Sequence, residues 1–208
     1  MLKKLTHKAA FLMFSCLIIC NYVDAQRQSI DLPAKNEKEE TYSGGMLFLQ
    51  GGGLIYDNPH QQIKDISYGF GGILRVYFFK HLCVGIYGGT QKTSYPTQGS
   101  NYSYLQIGYG GSFIGMSLKK NNFRYSASAC LGGGSIKNLH IEKQNNQLLS
   151  ESYLYKIPVF ILSPLVSVDY FLSKKIALSL QGSCLFGLHA SHPPLYNPCL
   201  QVGILFNH

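Results

Sequence analysis

From Ser43 onward the chain places a large apolar side chain on nearly every second residue. Between residues 66 and 78, Ile66, Tyr68, Phe70, Leu74, Val76 and Phe78 share one face, and Ser67, Gly69, Gly71, Arg75 and Tyr77 share the other. A period of two is the mark of a β-strand. The pattern returns with Phe123, Tyr125, Ala127, Ala129 and Leu131 against Arg124, Ser126, Ser128 and Gly132. It returns again with Ile176, Leu178 and Leu180 against Ala177, Ser179 and Gln181, and with Leu200, Val202, Ile204 and Phe206 against Gln201, Gly203 and Asn207. About eight such segments are predicted, near 43–56, 66–79, 82–93, 102–118, 123–137, 153–172, 176–189 and 198–206. No apolar stripe of period 3.6 persists, so helical bundles and doubly wound folds are disfavoured.

The connections alternate in length. "DNPHQQIKD", "SYPTQGSN", "LHIEKQNNQLLSES" and "ASHPPLYN" are long, whereas "KH", "KKNN" and "SKK" are tight. Long loops then share one rim and tight turns the other. One face of each segment is too apolar to meet water, and the other is too rich in glycine and serine to build a dry sandwich core. Both faces are accounted for if the sheet closes on itself, with lipid outside and a narrow lumen inside, because closure satisfies every backbone polar group. The expected fold is all-β, an antiparallel transmembrane β-barrel of about eight strands with long outer loops and short periplasmic turns. Tyr56, Tyr102, Tyr153 and Tyr170, near strand ends, are candidates for interfacial girdles. Pro158 and Pro164 remove ladder donors within the sixth segment and predict a bulge there.

The first residues have a different character. Lys3, Lys4 and Lys8 precede "AAFLMFSCLIIC", and the triplet "VDA" ends at Ala25. This reads as a cleaved secretory signal over 1–25, and the apolar run is short for a membrane-spanning helix. Cys16 and Cys20 lack the surroundings of a lipidation site. Residues 26–42 are polar and aperiodic, a flexible lead-in, and 43–208 form the barrel.

Composition sharpens this reading. The chain has 22 glycines and 15 tyrosines, no tryptophan, and 13% charged residues, about half the usual share. Cleavage after Ala25 leaves 15 basic and 9 acidic residues, a spread-out +6 without the basic face of a nucleic-acid binder. Four cysteines remain, Cys83, Cys130, Cys184 and Cys199, none in a CxxC pair, which argues against zinc. Cys184 and Cys199 flank the "ASHPPLYN" connection and are candidates for a disulfide, with two buried thiols as the alternative. No cofactor or metal is expected.

The combination of signal peptide, alternating strands, alternating connections and a last strand "CLQVGILFN" ending in Phe206 resembles the small outer-membrane β-barrel proteins of double-membrane bacteria. These include the barrel domain of outer-membrane protein A and outer-membrane protein X. Asn207 and His208 follow the terminal aromatic, and no tryptophan contributes to the girdles; both depart from that pattern. The resemblance implies an outer-membrane location, lipids as neighbours and a monomer.

Several residues are candidates for a role. Arg75, Arg124 and Asp169 fall on the lumen face close to tight turns and are expected to form an ion-pair network that closes a narrow lumen. Lys80, Lys119, Lys120, Lys174 and Lys175 occupy the tight turns, as lipid-phosphate contacts or as soluble turn residues. Glu142, Lys143 and Glu151, in the loop expected over 138–152, are the candidate contact surface for an extracellular ligand. The glycine triplets at 51–53 and 132–134 are not followed by a phosphate-loop lysine and helix; they suit a tightly curved sheet.

His189 and Ser191 resemble the His-x-Ser element of outer-membrane lipid A deacylases. His192 stands where that family has asparagine, and a carboxylate could come only from Glu142 or Glu151 on another loop. The leading expectation is therefore a non-enzymatic integral barrel with a structural or surface-binding role and no wide pore. A lipid A-modifying hydrolase and a narrow channel are the alternatives.

Overall fold

The computed structural model describes residues 42–207 apart from 59, 79, 80, 99, 146 and 147. The signal, the lead-in up to residue 41, Lys80 and His208 lie outside the described residues. Eight strands form one closed antiparallel barrel in sequence order. They are β1 (Tyr42–Asp57), β2 (Gln62–Phe78), β3 (Leu82–Tyr95), β4 (Ser103–Lys120), β5 (Phe123–Asn145), β6 (Leu148–Phe171), β7 (Ile176–Leu188) and β8 (Leu195–Asn207). No described residue is helical.

The two faces divide as the alternation predicts. Leu47, Leu49, Phe70, Leu74, Ile86, Ile114, Leu131, Phe160, Val166, Leu180, Leu200 and Val202 point outward and are exposed. A soluble protein does not present so continuous an apolar belt to water, whereas hydrocarbon accommodates it. At the end bearing the tight turns, Phe123 sits between Tyr125, on which it stacks at 6.3 Å between centroids, and the tilted ring of Tyr170 at 4.9 Å, and supplies an aromatic girdle. Tyr170 and Tyr102 are exposed. The other two expected girdle residues are not part of it: Tyr56 is buried in the lumen and Tyr153 joins an inward cluster at the open end.

The lumen is fuller than its glycines and serines suggest. Met46, Phe48, Ile73, Tyr77, Tyr87, Tyr109 and Phe113 fill its lower half. Leu54, Tyr56, Ile63, Leu105, Ile107, Ile136, Ile161 and Leu195 fill the upper half. Inward glycines make that possible: a Cβ on Gly71 would overlap the Phe48 ring, and one on Gly203 would come within 2.9 Å of Phe48 Cβ. Large and small residues thus interlock across the lumen, as tight packing requires.

Four expectations are corrected. The connection expected over 138–152 is not a loop, because β5 runs to Asn145 and β6 starts at Leu148, making a hairpin longer than any other strand pair. The connection after β1 likewise shrinks to 58–61, since Gln62–Asp65 pair with Leu54–Asp57. No bulge forms at Pro158 or Pro164. Both keep their β5 partners, Ser135 and Ala129, and the register shifts lie higher, between Ile141 and Gln144. Pro164 only interrupts the β6–β7 ladder between Leu162↔Phe186 and Leu165↔Ser183, without a slip.

Cys184 and Cys199 are the fourth correction. Both are free thiols. Cys199 is opposite Ser183 and Cys184 is opposite Pro198. Adjacent positions on a strand face opposite sides of the sheet, so Cys199 lies in the lumen beside the Ser183 hydroxyl at 3.0 Å, while Cys184 faces outward. No rotamer joins them through the wall.

Pro198 leaves a second mark at the seam where β1 meets β8. That ladder is continuous from Gly44↔Asn207 to Gly52↔Cys199, then lapses until Ile55↔Tyr196.

Candidate functional site

Strand alternation points Arg75, Arg124 and Asp169 into the lumen, where they are 3%, 4% and 0% exposed. The three come from β2, β5 and β6, and Arg124 is paired with Asp169 across the β5–β6 ladder. Arg75 donates through Nη1 to Asp169 Oδ2 at 3.1 Å and through Nη2 to Oδ1 at 3.3 Å, a two-pronged contact. Ser179 donates to the same Oδ1 at 2.6 Å, and Arg75 also donates to Tyr77 Oη at 3.0 Å. Arg124 lies over the rings of Tyr77 and Phe171, 4.3 and 4.9 Å from their centroids, where the π faces stabilise its charge.

Above this layer two further polar layers cross the lumen. Tyr109 donates to Gln50 Oε1 at 2.6 Å, and Gln201 donates to the same oxygen at 3.2 Å. Higher again, Ser67 donates to Gln91 Oε1 at 2.7 Å and accepts from Asn197 Nδ2 at 2.8 Å. Side chains bridge the lumen at each of these levels. Between Arg75, Phe113, Leu165 and Gln181 a cavity of about 10 Å³ remains, room for about one water. Sequence reasoning identified the charged layer but missed the glutamine and asparagine layers, whose residues alternate correctly yet look like ordinary strand polars.

The open end carries a different cluster. His60, in the β1–β2 connection, stacks on His140 of β5 with centroids 4.4 Å apart, and on Tyr153 of β6 at 5.1 Å. His60 Nε2 is 2.7 Å from the Tyr155 hydroxyl. Below, Tyr95 donates to Asn138 Oδ1 at 2.7 Å and lies 3.4 Å from His140 Nδ1. Glu142, Lys143 and Glu151 stand on the hairpin beyond this cluster. Lys143 and Glu151 are 3.9 Å apart with exposed side chains, and Tyr153 donates to Glu151 at 3.0 Å.

Burial lowers the pKa of His140, the neighbouring His60 charge lowers it further, and Glu142 opposes the shift. A depressed histidine favours the neutral folded form. The contact between the β1–β2 connection and the hairpin is therefore at full strength above about pH 6.5, the free imidazole value, and weakens as pH falls through the His140 pKa. A histidine NMR titration of the intact barrel should show His140 titrating below free imidazole; an equal or higher value would overturn this.

His189 and Ser191 do not assemble as a nucleophile and base. His189 Nδ1 accepts the backbone N–H of Ser191 at 3.1 Å, not the hydroxyl, and its ring sits 4.7 Å from that of His192. Among the described residues no carboxylate is bonded to either histidine.

The closed eight-stranded barrel has counterparts among solved structures. Neisserial surface protein A matches 78% of this chain and 96% of its own at a TM-score of 0.56 and 9% identity. The chain has the fold of the small outer-membrane β-barrels. Ail, the attachment invasion locus protein of Yersinia pestis, in complex with the heparin analogue sucrose octasulfate, matches 81% of this chain and 99% of its own, at a TM-score of 0.55 and 11% identity. No family model matches the sequence, and no curated protein matches it. Set in the outer-membrane barrel fold, the end with the tight turns and both strand termini corresponds to the periplasmic rim, and the end with His60 and the long hairpin to the outer one.

Proposed function

We propose that this protein is an integral outer-membrane barrel that works through its outer surface, binding an extracellular ligand, and neither conducts solute nor catalyses a reaction. The observation that carries this reading is the filled lumen. Three polar layers and two apolar ones span it, and the Arg75–Asp169 pair closes the periplasmic side. An eight-stranded barrel is only wide enough for its own side chains.

What projects from such a barrel is the β5–β6 hairpin, with Glu142, Lys143 and Glu151 beyond the His60–His140–Tyr153 stack. Stacked aromatic and histidine rings joined to a rigid wall form a better-ordered contact surface than a free loop, since less side-chain entropy is lost on binding. The complex of Ail with a heparin analogue supports ligand binding as a use of this fold.

Planar-bilayer recording tests the closed lumen. The purified chain should insert, shift in gel mobility only on boiling, and show no stepwise conductance above the leak of a protein-free bilayer. Reproducible unitary steps from the heat-modifiable species would overturn this reading in favour of a narrow channel.

A further inference from the structure

On the outer wall of β3–β6 the pairing register lines up one row of side chains: Lys92 beside Gln106, Gln106 beside Lys137, and Lys137 beside Lys156. The residues flanking the first three on their strands, Gln91, Thr93, Leu105, Ile107, Ile136 and Asn138, are buried in the lumen. The row itself therefore faces outward. Lys92 and Lys156 are exposed, and Lys92 Nζ lies 4.5 Å from the centre of the Tyr104 ring.

Three lysines meet here without a counter-charge: among the described residues no carboxylate lies within ion-pair distance of any of them. Lys137 and Lys156 are direct cross-strand partners, an arrangement of like charges that destabilises a sheet. A closed barrel has no edge for lysines to protect. An anion held between them turns that repulsion into attraction.

The wall beneath the lysines is shaped for something apolar. Toward the periplasmic rim the next outward row is Thr90, Gly108, Ser135 and Pro158, followed by Gly88, Gly110, Gly133 and Phe160. At Gly108 an added Cβ would meet nothing within 4 Å, and at Gly133 only a backbone oxygen at 4.0 Å. Unlike the inward glycines around Phe48, these are not demanded by packing. Below the bare shelf the next row is Ile86, Ser112, Leu131 and Leu162, apolar on three of the four strands.

We propose that the outer wall of β3–β6 binds a phosphorylated membrane glycolipid, with its phosphates on Lys92, Lys137 and Lys156 and its acyl chains descending over the shelf to the apolar belt. The vertical order of cations, small residues and apolar residues matches the order of phosphate, glycerol- or sugar-linked ester and acyl chain in an amphiphile. The proposal rests on the outer-membrane reading, which supplies the lipid-facing wall.

Native mass spectrometry of the full chain, isolated from membranes in mild detergent, tests this with diphosphorylated lipid A, its phosphate-free form and inorganic phosphate as probes. The diphosphorylated lipid should bind at least tenfold tighter than the phosphate-free form, and millimolar inorganic phosphate should not displace it. Each lysine near a membrane surface contributes about fivefold, so the Lys92→Gln/Lys137→Gln/Lys156→Gln variant should lose affinity on the order of a hundredfold. Gly108→Leu/Gly133→Leu, which fills the shelf in open space, should weaken the acylated lipid several-fold.

Equal binding of the phosphorylated lipid by wild type and triple variant, both heat-modifiable, would overturn the lipid proposal alone. Displacement by inorganic phosphate would reduce the row to a free-anion site and also overturn it. A chain that stays soluble without detergent and shows no mobility shift would remove the outer-membrane reading and the lipid proposal together.

Discussion

Asp169→Ala is expected to lower the unfolding free energy of the barrel by about 3–5 kcal/mol, the usual cost of breaking a buried ion pair from one side. Asp169 is fully buried and accepts two hydrogen bonds from Arg75 and one from Ser179, while Arg124 stands opposite it on β5. Its removal strands positive charge in a lumen without room for a hydration shell. The loss should appear as an earlier urea midpoint for refolded protein in lipid vesicles, read by the gel shift between folded and unfolded forms. Ser179→Ala removes only one neutral donor to the carboxylate and should cost about 1–2 kcal/mol. If Asp169→Ala cost no more than Ser179→Ala, the ion pair would not be what secures the periplasmic side.

The second large effect is expected at Phe48. Phe48 is 4% exposed, with its ring against Gly71 and its Cβ beside Gly203, both inward glycines. Phe48→Ala should destabilise by about 3–5 kcal/mol through lost burial and the cavity left behind. Gly71→Ala forces a methyl into the ring and should cost about 1–3 kcal/mol by overpacking. In the Phe48→Ala background the overlap with the ring is gone and only the 2.5 Å approach to the Gly88 backbone oxygen remains, so the double variant should be more stable than the two single losses added together. Strict additivity in that cycle would show that the two positions do not interlock.

Much of the architecture was legible from alternation alone. Every residue assigned to a face on β2, β5, β7 and β8 lies on that face, because a one-residue slip would turn the whole apolar set inward. The limits came from residues whose type is indifferent to environment. "LHIEKQNNQLLSES" reads as a loop because its charges and amides are polar on both sides; it is a strand pair above the apolar belt, where neither face needs to be greasy. The tyrosines were ambiguous for a related reason. Tyr56 and Tyr170 are the same side chain, each next to last in its strand but at opposite ends of the barrel, and only the register shows that one faces the lumen and the other the girdle.

For the candidate sites, sequence parity placed Arg75, Arg124 and Asp169 on the inner face, but their order around the wall required the pairing of β5 with β6. The lysine row was invisible for the same reason. Lys92, Lys137 and Lys156 are far apart along the chain and become neighbours only through three ladders in register. The Cys184–Cys199 expectation failed on parity, because being near in a hairpin does not place two residues on one side of it.

The interrupted seam between β1 and β8 bears on how the molecule is made. Each other strand pair joins neighbours in sequence and can zip from a local hairpin, the long β5–β6 pair above all. The β1–β8 ladder joins opposite ends of the barrel chain, so it bears the largest loop-closure entropy and forms late. Pro198 removes a hydrogen-bond donor from that same ladder, leaving its outer part weakly stitched between Gly52 and Ile55. During assembly the barrel should persist as a curved, open sheet that seals from the periplasmic side upward, and filling Pro198 with a donor residue should speed that last step.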